Sequence, residues 1–226
     1  MTLRCRFAAA LLSAALAATP LAPRAQLAPF AGKPSPSDLV ETEDRVWGAA
    51  DELDRAMRRQ GSLYRDAALD GYLADLLHRL FPEFVGAMRV RVVDSPQMNA
   101  FALPNGSIYL NLGLVARLHD DAQLAAVLAH EGGHFVHRHG FQQRETAKNA
   151  AAFGLGLGLL IGGLGGLLVQ GLTASSVFGF SRDLEREADR VAFDRMRRAG
   201  FDTRAGVRVF EAMRDEAQVL ALPQPV

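Results

Sequence analysis

The chain has 226 residues, of which 49% are hydrophobic and 22% charged, a globular balance with room for one sizeable core or two small ones. Twenty-five basic side chains offset twenty-five acidic ones, which excludes a basic footprint for nucleic acid and an acidic tail. The single cysteine excludes an internal disulfide and a thiolate cage, so any metal must be held by histidine and carboxylate.

Residues 1–25 carry Arg4, Arg6 and Arg24 and no acid, and a run of Ala and Leu broken only by Ser13 extends from Phe7 to Ala18. A charged start followed by an apolar stretch of about 12 residues, too short for a bilayer span of about 20, predicts a secretory signal peptide over 1–25. Cys5 precedes the apolar run, where a lipid-acceptor cysteine would have to follow it. Cleavage after Ala25 would remove three arginines and leave 22 bases against 25 acids, a charge of −3. Pro29, Pro34 and Pro36 then predict an extended linker over 26–40.

Asp38 and Glu41 have capping-box spacing and open a helical pattern to about Gln60. A second helix, about Tyr64 to Leu80, places Leu69, Leu73, Leu76, Leu77 and Leu80 on one face and stops before Pro82. The period then changes to two, with Val90 and Val92 alternating with Arg89 and Arg91. Strand-like segments at 98–103 and 107–112 flank Pro104-Asn105-Gly106, a hairpin signal. A helix is predicted from Asp121 to His139, with Gly140 as its stop, and two more at about 182–199 and 203–219. Between them, residues 149–181 contain no charged side chain.

The chemistry concentrates in His130-Glu131-Gly132-Gly133-His134. Histidines four apart on a helix differ by about 40° of effective rotation and about 6 Å of rise, so both rings can reach one ion. Glu131, about 100° round, can approach a water at that ion without ligating the ion itself. A catalytic zinc needs a third protein ligand and an open position. A histidine six residues after His134 would fall on Gly140, so the ligand must come from elsewhere.

In Ser181-Arg182-Asp183-Leu184-Glu185-Arg186-Glu187-Ala188-Asp189, Glu185 and Asp189 share a helical face with Ala188, Ala192 and Met196. Carboxylates on an apolar stripe are costly to bury unless a positive group meets them. Glu185 is therefore the expected third ligand, and Asp189 the acceptor for the outer ring nitrogen of a ligating histidine. Glu187 points away among arginines. His137 and His139 read as capping or exposed histidines near a helix end, and His78 and His119 carry no assignment. Arg182 and Tyr109 are candidates for oxyanion stabilisation. Gly133, between the ligands, is expected to admit close approach of another backbone or of substrate.

Leu124 to His134, Arg138-His139-Gly140, Ser181-Arg182 and Glu185-x-x-x-Asp189 together resemble the zinc metallopeptidase family of HtpX, the CaaX prenyl endopeptidase and periplasmic BepA and LoiP. Asn99-Ala100-Phe101-Ala102-x-Pro104 with Gly106, and Gly113-Leu114, also look like that family, and the resemblance covers roughly residues 43–213. It implies His130, His134 and Glu185 as ligands of one zinc ion per chain, Glu131 as general base and Asp189 as a supporting partner. The fold it implies is a gluzincin-type α+β zincin, mostly helical, with a small sheet beside the active-site helix. Polypeptide substrate would bind as an added strand along Asn99, Ala100, Phe101 and Ala102, the edge being placed within 98–103 first and 107–112 second.

The chain looks like a short, exported type with a single catalytic domain over 41–222, periplasmic and engaged in protein quality control. Residues 150–172, apolar except for Gln170 and with eight glycines in 23 positions, leave three readings open: a buried hairpin or helix, a mobile flap and a membrane-dipping element. The alternative to an endopeptidase is a non-hydrolytic, zinc-stabilised binding module for unfolded envelope proteins.

Overall fold

The computed structural model describes residues 27–39, 41–146 and 180–221. The expected signal peptide and the apolar segment 150–172 lie outside the described residues. Helix α1 spans Glu41–Arg59 and buries the stripe Val46, Ala50 and Leu53. Asp38 does not cap it: its carboxylate accepts from the Ser35 amide at 2.6 Å and closes a 3-10 turn over Pro36–Asp38. Helix α2, Ala67–Leu80, is capped by Asp66, which accepts from the amides of Ala68 and Leu69, and it buries Leu73, Leu76, Leu77 and Leu80.

Four strands form one mixed sheet: β1 (Leu63–Tyr64), β2 (Arg89–Val93), β3 (Ala100–Ala102) and β4 (Ser107–Asn111), in the order β1-β2-β4-β3. The hairpin signal at Asn105-Gly106 joins β3 to β4, with Gly106 at φ 79. Strand β4 is buried along its whole length because β2 runs parallel to it on its other side. Of the two expected edges, the segment 107–112 is thus interior, and β3 is the edge. Asn111 donates to the Asn99 carbonyl and Leu103 to the Ser107 carbonyl, so alternate residues Ala100 and Ala102 turn their backbone groups outward. Among the described residues no strand lies beyond β3.

The alternation in β2 divides the two faces of the sheet. Val90 and Val92 enter the main core with α2, whereas Arg91 turns to α1 and donates to Asp54 at 2.9 Å. The buried Asp54 carboxylate also accepts from the Tyr109 hydroxyl at 2.6 Å and the Ser107 hydroxyl at 3.3 Å, and pairs with Arg58 at 3.1 Å. Tyr109 is therefore committed beneath α1, stacked on Phe101, and it is no oxyanion donor.

A short helix α3 (Leu112–Val115) leads to α4, Asp121–Val136, whose first turn is capped by Asp120 on the Gln123 amide. Helix α4 stops three residues before the position expected from sequence. Arg138 adopts φ 60, and a new helix, α5, begins at His139 and runs to Thr146, so Gly140 lies inside a helix and terminates none. The left-handed region is costly for an L residue, and here the compensation is visible. The Arg138 guanidinium pairs with buried Glu43, donates to the carbonyls of Ala28 and Asp38, and lies 4.8 Å over the Phe30 ring.

Those contacts anchor the proline-bearing segment. The Phe30 amide donates to the Val136 carbonyl at 2.9 Å, and the Phe30 ring is buried against Trp47 and Phe135. Helices α6 (Arg182–Arg198, capped by Ser181) and α7 (Ala205–Ala221) complete an α+β fold in which α4 packs against α2, β3, α6 and α7.

Burial raises the pKa of Asp54, but the hydrogen bonds from Tyr109 and Arg91 outweigh it and hold the carboxyl below its ordinary value. The resulting stability is present above the unfolded value of about 3.9 and is lost as pH falls through the lower folded value. Tyr109→Phe is expected to cost about 1.5–3 kcal/mol, the range for a hydrogen bond to a charged group. It should also move the acid-unfolding midpoint upward, because the folded pKa of Asp54 rises. Urea and acid titrations followed by circular dichroism measure both, and unchanged midpoints would contradict the assigned role of Asp54.

Candidate metal centre

Helix α4 presents His130 and His134 one turn apart, and α6 brings Glu185 and Asp189 across from them. The Nε2 atoms of the two histidines face each other at 3.1 Å, and Glu185 Oε2 lies 3.3 Å from the first and 3.8 Å from the second. The three donor atoms therefore converge on one point. Asp189 Oδ1 is 3.0 Å from His130 Nδ1, on the outer side of that ring, as the shared helical face of Glu185 and Asp189 requires. The other outer nitrogen, His134 Nδ1, meets His139 Nδ1 at 2.9 Å. With each outer nitrogen engaged, both inner nitrogens are directed at the same place.

Electrostatics favour a cation there. Burial opposes charge on His130, yet hydrogen bonds to Asp189 and Glu185 and the nearby Glu131 carboxylate raise its pKa to about 10. Burial and the charge on His130 hold His134 well below its ordinary value. A divalent ion would satisfy the carboxylates and both lone pairs at once. Two imidazoles and one carboxylate suit zinc, with a position left open. The donor set fits such an ion.

Glu131 projects from α4 beside this cluster. Burial and the Glu185 carboxylate raise its pKa to about 7 against the opposing charge of His130, and the Ala102 amide donates to it. That amide is one of the outward groups of β3, so the edge strand and the candidate base are in direct contact. A cavity of about 280 Å³ opens here. Asn99, Ala100, Phe101 and Ala102 line one side, with His130, Glu131, His134 and Glu185 at its base. Val127, Val209 and Met213 supply an apolar wall. Arg182, exposed in the first turn of α6, does not line it.

Gly133 makes the meeting of α4 and α6 possible. A Cβ there would stand 3.2 Å from Val191 Cβ and 3.3 Å from the Cα and carbonyl oxygen of Ala188. On the opposite flank a Cβ on Gly132 would lie 2.4 Å from the Phe81 ring. Gly133 thus admits the close backbone approach expected for it, and the neighbour is α6.

A family model described as peptidase family M48 matches residues 67–222. The chain belongs to this family. Among curated relatives, a putative beta-barrel assembly-enhancing protease of Vibrio cholerae is 28% identical over 211 residues, covering 88% of this chain and 43% of the relative. The beta-barrel assembly-enhancing protease of Escherichia coli K12 is 27% identical over 190 residues, 76% of this chain and 38% of the relative. The mitochondrial metalloendopeptidase OMA1 of Arabidopsis thaliana is 35% identical over 133 residues, 55% of this chain and 25% of the relative. The chain spans less than half the length of these M48 relatives.

Two further expectations fail within this M48 domain. His139 is fully buried rather than capping or exposed, and Glu187 does not point away. Its carboxylate oxygens lie 2.7 Å from His137 Nδ1 and 3.1 Å from His139 Nε2. The helical projection that misplaces His139 assumes an unbroken α4, and the left-handed residue Arg138 invalidates it. The signal available in sequence is the Arg138-His139-Gly140 motif, to which helical periodicity assigns no chemistry.

Zinc content and affinity after Glu185→Ala measure the third ligand directly. Affinity is expected to fall by at least about 100-fold with the fold retained, since loss of a partner that only supports a ligand already costs about 10–100-fold. Unchanged stoichiometry and affinity would place the ligand elsewhere. Gly133→Val should weaken zinc binding while leaving α4 helical, because the added methyls push α6 outward.

Proposed function

We propose that this M48 domain is a zinc-dependent endopeptidase of the cell envelope that cleaves unfolded or misassembled proteins. The observation that carries the reading is one arrangement. Three convergent donor atoms, a neighbouring carboxylate and the β3 strand, at the edge of the sheet among the described residues, border the same cavity.

An extended polypeptide lying along β3 would bond to the outward groups of Ala100 and the Ala102 carbonyl. These main-chain contacts make no demand on side-chain identity, which suits substrates that share only an unfolded backbone. His130, His134 and Glu185 would hold a zinc ion, which would supply Lewis acidity to water and to a carbonyl group. Glu131 takes a proton from water as the water oxygen attacks the carbonyl carbon, and passes that proton to the amide nitrogen as the C–N bond breaks. Its partly buried setting, which raises its pKa to about 7, suits a group that accepts and returns a proton near neutrality. Asp189 orients His130. A purely binding module has no use for a base at this position, so Glu131 speaks against the non-hydrolytic alternative.

The envelope location rests on the charged and apolar N-terminal segment, and the substrate class on the beta-barrel assembly-enhancing role named for two relatives. Among the described residues no helix is long and apolar enough to cross a membrane.

Glu131→Gln protein should keep its zinc and its binding of casein while cleavage falls about 10²-fold or more. Equal cleavage by both proteins would remove Glu131 from the base role. Ala100→Pro deletes an outward amide without touching the pairing of β3 with β4. It should raise KM for an extended peptide about 10-fold, by analogy with loss of a charge-free main-chain bond of about 1 kcal/mol plus local displacement. An unchanged KM would place substrate on another surface.

A further inference from the structure

We propose that His139 and Glu187 are positioning residues that fix the tautomer and orientation of the metal ligand His134 through a buried hydrogen-bonded chain. The inference rests on the reading of His130, His134 and Glu185 as a zinc site, and it assigns a role to residues outside that set.

The direction of every bond in the chain follows from proton counting. His134 turns Nε2 toward His130 and Glu185, at 3.1 and 3.8 Å. A neutral imidazole that ligates through Nε2 carries its proton on Nδ1. His134 Nδ1 is 2.9 Å from His139 Nδ1, and two N–H groups cannot face each other at that distance. His139 Nδ1 is therefore the acceptor, and its proton sits on Nε2. That nitrogen lies 3.1 Å from Glu187 Oε2 and donates to it. The other carboxylate oxygen, Oε1, is 2.7 Å from His137 Nδ1, which holds the carboxylate in place. His139 has no exposed surface, so bulk water does not replace either bond.

The two ligand histidines are consequently supported in different ways. A half-exposed carboxylate, Asp189, meets His130 directly. A buried neutral imidazole meets His134 and relays the pull of a carboxylate one residue farther away.

His137, His139 and Glu187 also have ligand atoms within 4.8 Å of one another, a spacing that would admit an ion of their own. Geometry favours the chain. At the first site two imidazole nitrogens and one carboxylate oxygen face a common point, whereas here each oxygen of Glu187 has its own imidazole partner. An ion on His139 Nε2 would also move the proton to Nδ1, against the Nδ1–H of His134.

Long-range ¹H–¹⁵N spectra of the imidazoles in the zinc-loaded full chain test the assignment. The expected pattern is a proton on Nδ1 of His134 and on Nε2 of His139. A proton on Nδ1 of His139 overturns it. In Glu187→Gln protein, zinc affinity measured by chelator competition should fall about 10–100-fold with the circular dichroism retained. Exposed Arg186→Gln serves as the control and should leave affinity unchanged. Undiminished affinity in Glu187→Gln overturns the proposal. Two zinc ions in the unsubstituted chain and one in Glu187→Gln also overturn it, in favour of a second ion site. Absence of zinc from the unsubstituted chain overturns the metal reading itself, and this inference with it.

Discussion

At Gly133 helix α4 presents bare backbone, and Ala188 of α6 comes within 3.3 Å of the point where a Cβ would stand. The two histidines belong to α4 and the two carboxylates to α6, so this contact sets the distance between them. A side chain at Gly133 would press on Ala188 and Val191 and move α6, with Glu185, away from the imidazoles. Gly132 performs the same service on the other flank, where the Phe81 ring lies against the helix. Two residues unfavourable in a helix interior by about 1 kcal/mol each are thus retained where packing on both sides requires them.

The sheet contributes through its edge rather than its centre. Strand β4 is enclosed between β2 and β3, and α1 is pinned to one face of the sheet by Asp54, which gathers Arg91, Ser107 and Tyr109. That anchored platform leaves β3 with outward amides, one of which reaches Glu131. The candidate binding edge and the candidate base are therefore both built on regular elements, the condition under which reacting groups hold productive geometry. The same compactness shapes the charge distribution. Three carboxylates near His130 raise its proton affinity, and they also make the site favourable for a divalent cation.

Residues whose roles depend on position along an unbroken helix are legible from the chain alone. His130 and His134 share a stripe of α4, and Glu185 and Asp189 share a stripe of α6 with Ala188, Ala192 and Met196. Periodicity fails where the backbone changes course. The left-handed Arg138 follows the end of α4 at Val136 and turns the chain so that His139 returns beneath His134, a position no helical projection assigns. Glu187 escapes the projection for the same reason, because its partners lie on the returning segment. Tyr109 looks available for chemistry in the sequence, and only the packing of α1 shows its hydroxyl committed to Asp54. The anchoring of residues near Phe30 likewise depends on Arg138 and Trp47, partners distant in sequence.

By itself the sequence determined the chemical type of the centre, since a single cysteine leaves histidine and carboxylate as the available ligands. It also determined which side chains share a helical face, because that follows from a repeat of about 3.6 residues. Only the tertiary structure decided strand order, which strand lies at the edge of the described sheet, and how His134 is supported. Those properties arise from contacts between segments that the chain brings together from distant positions, and local periodicity carries no information about them.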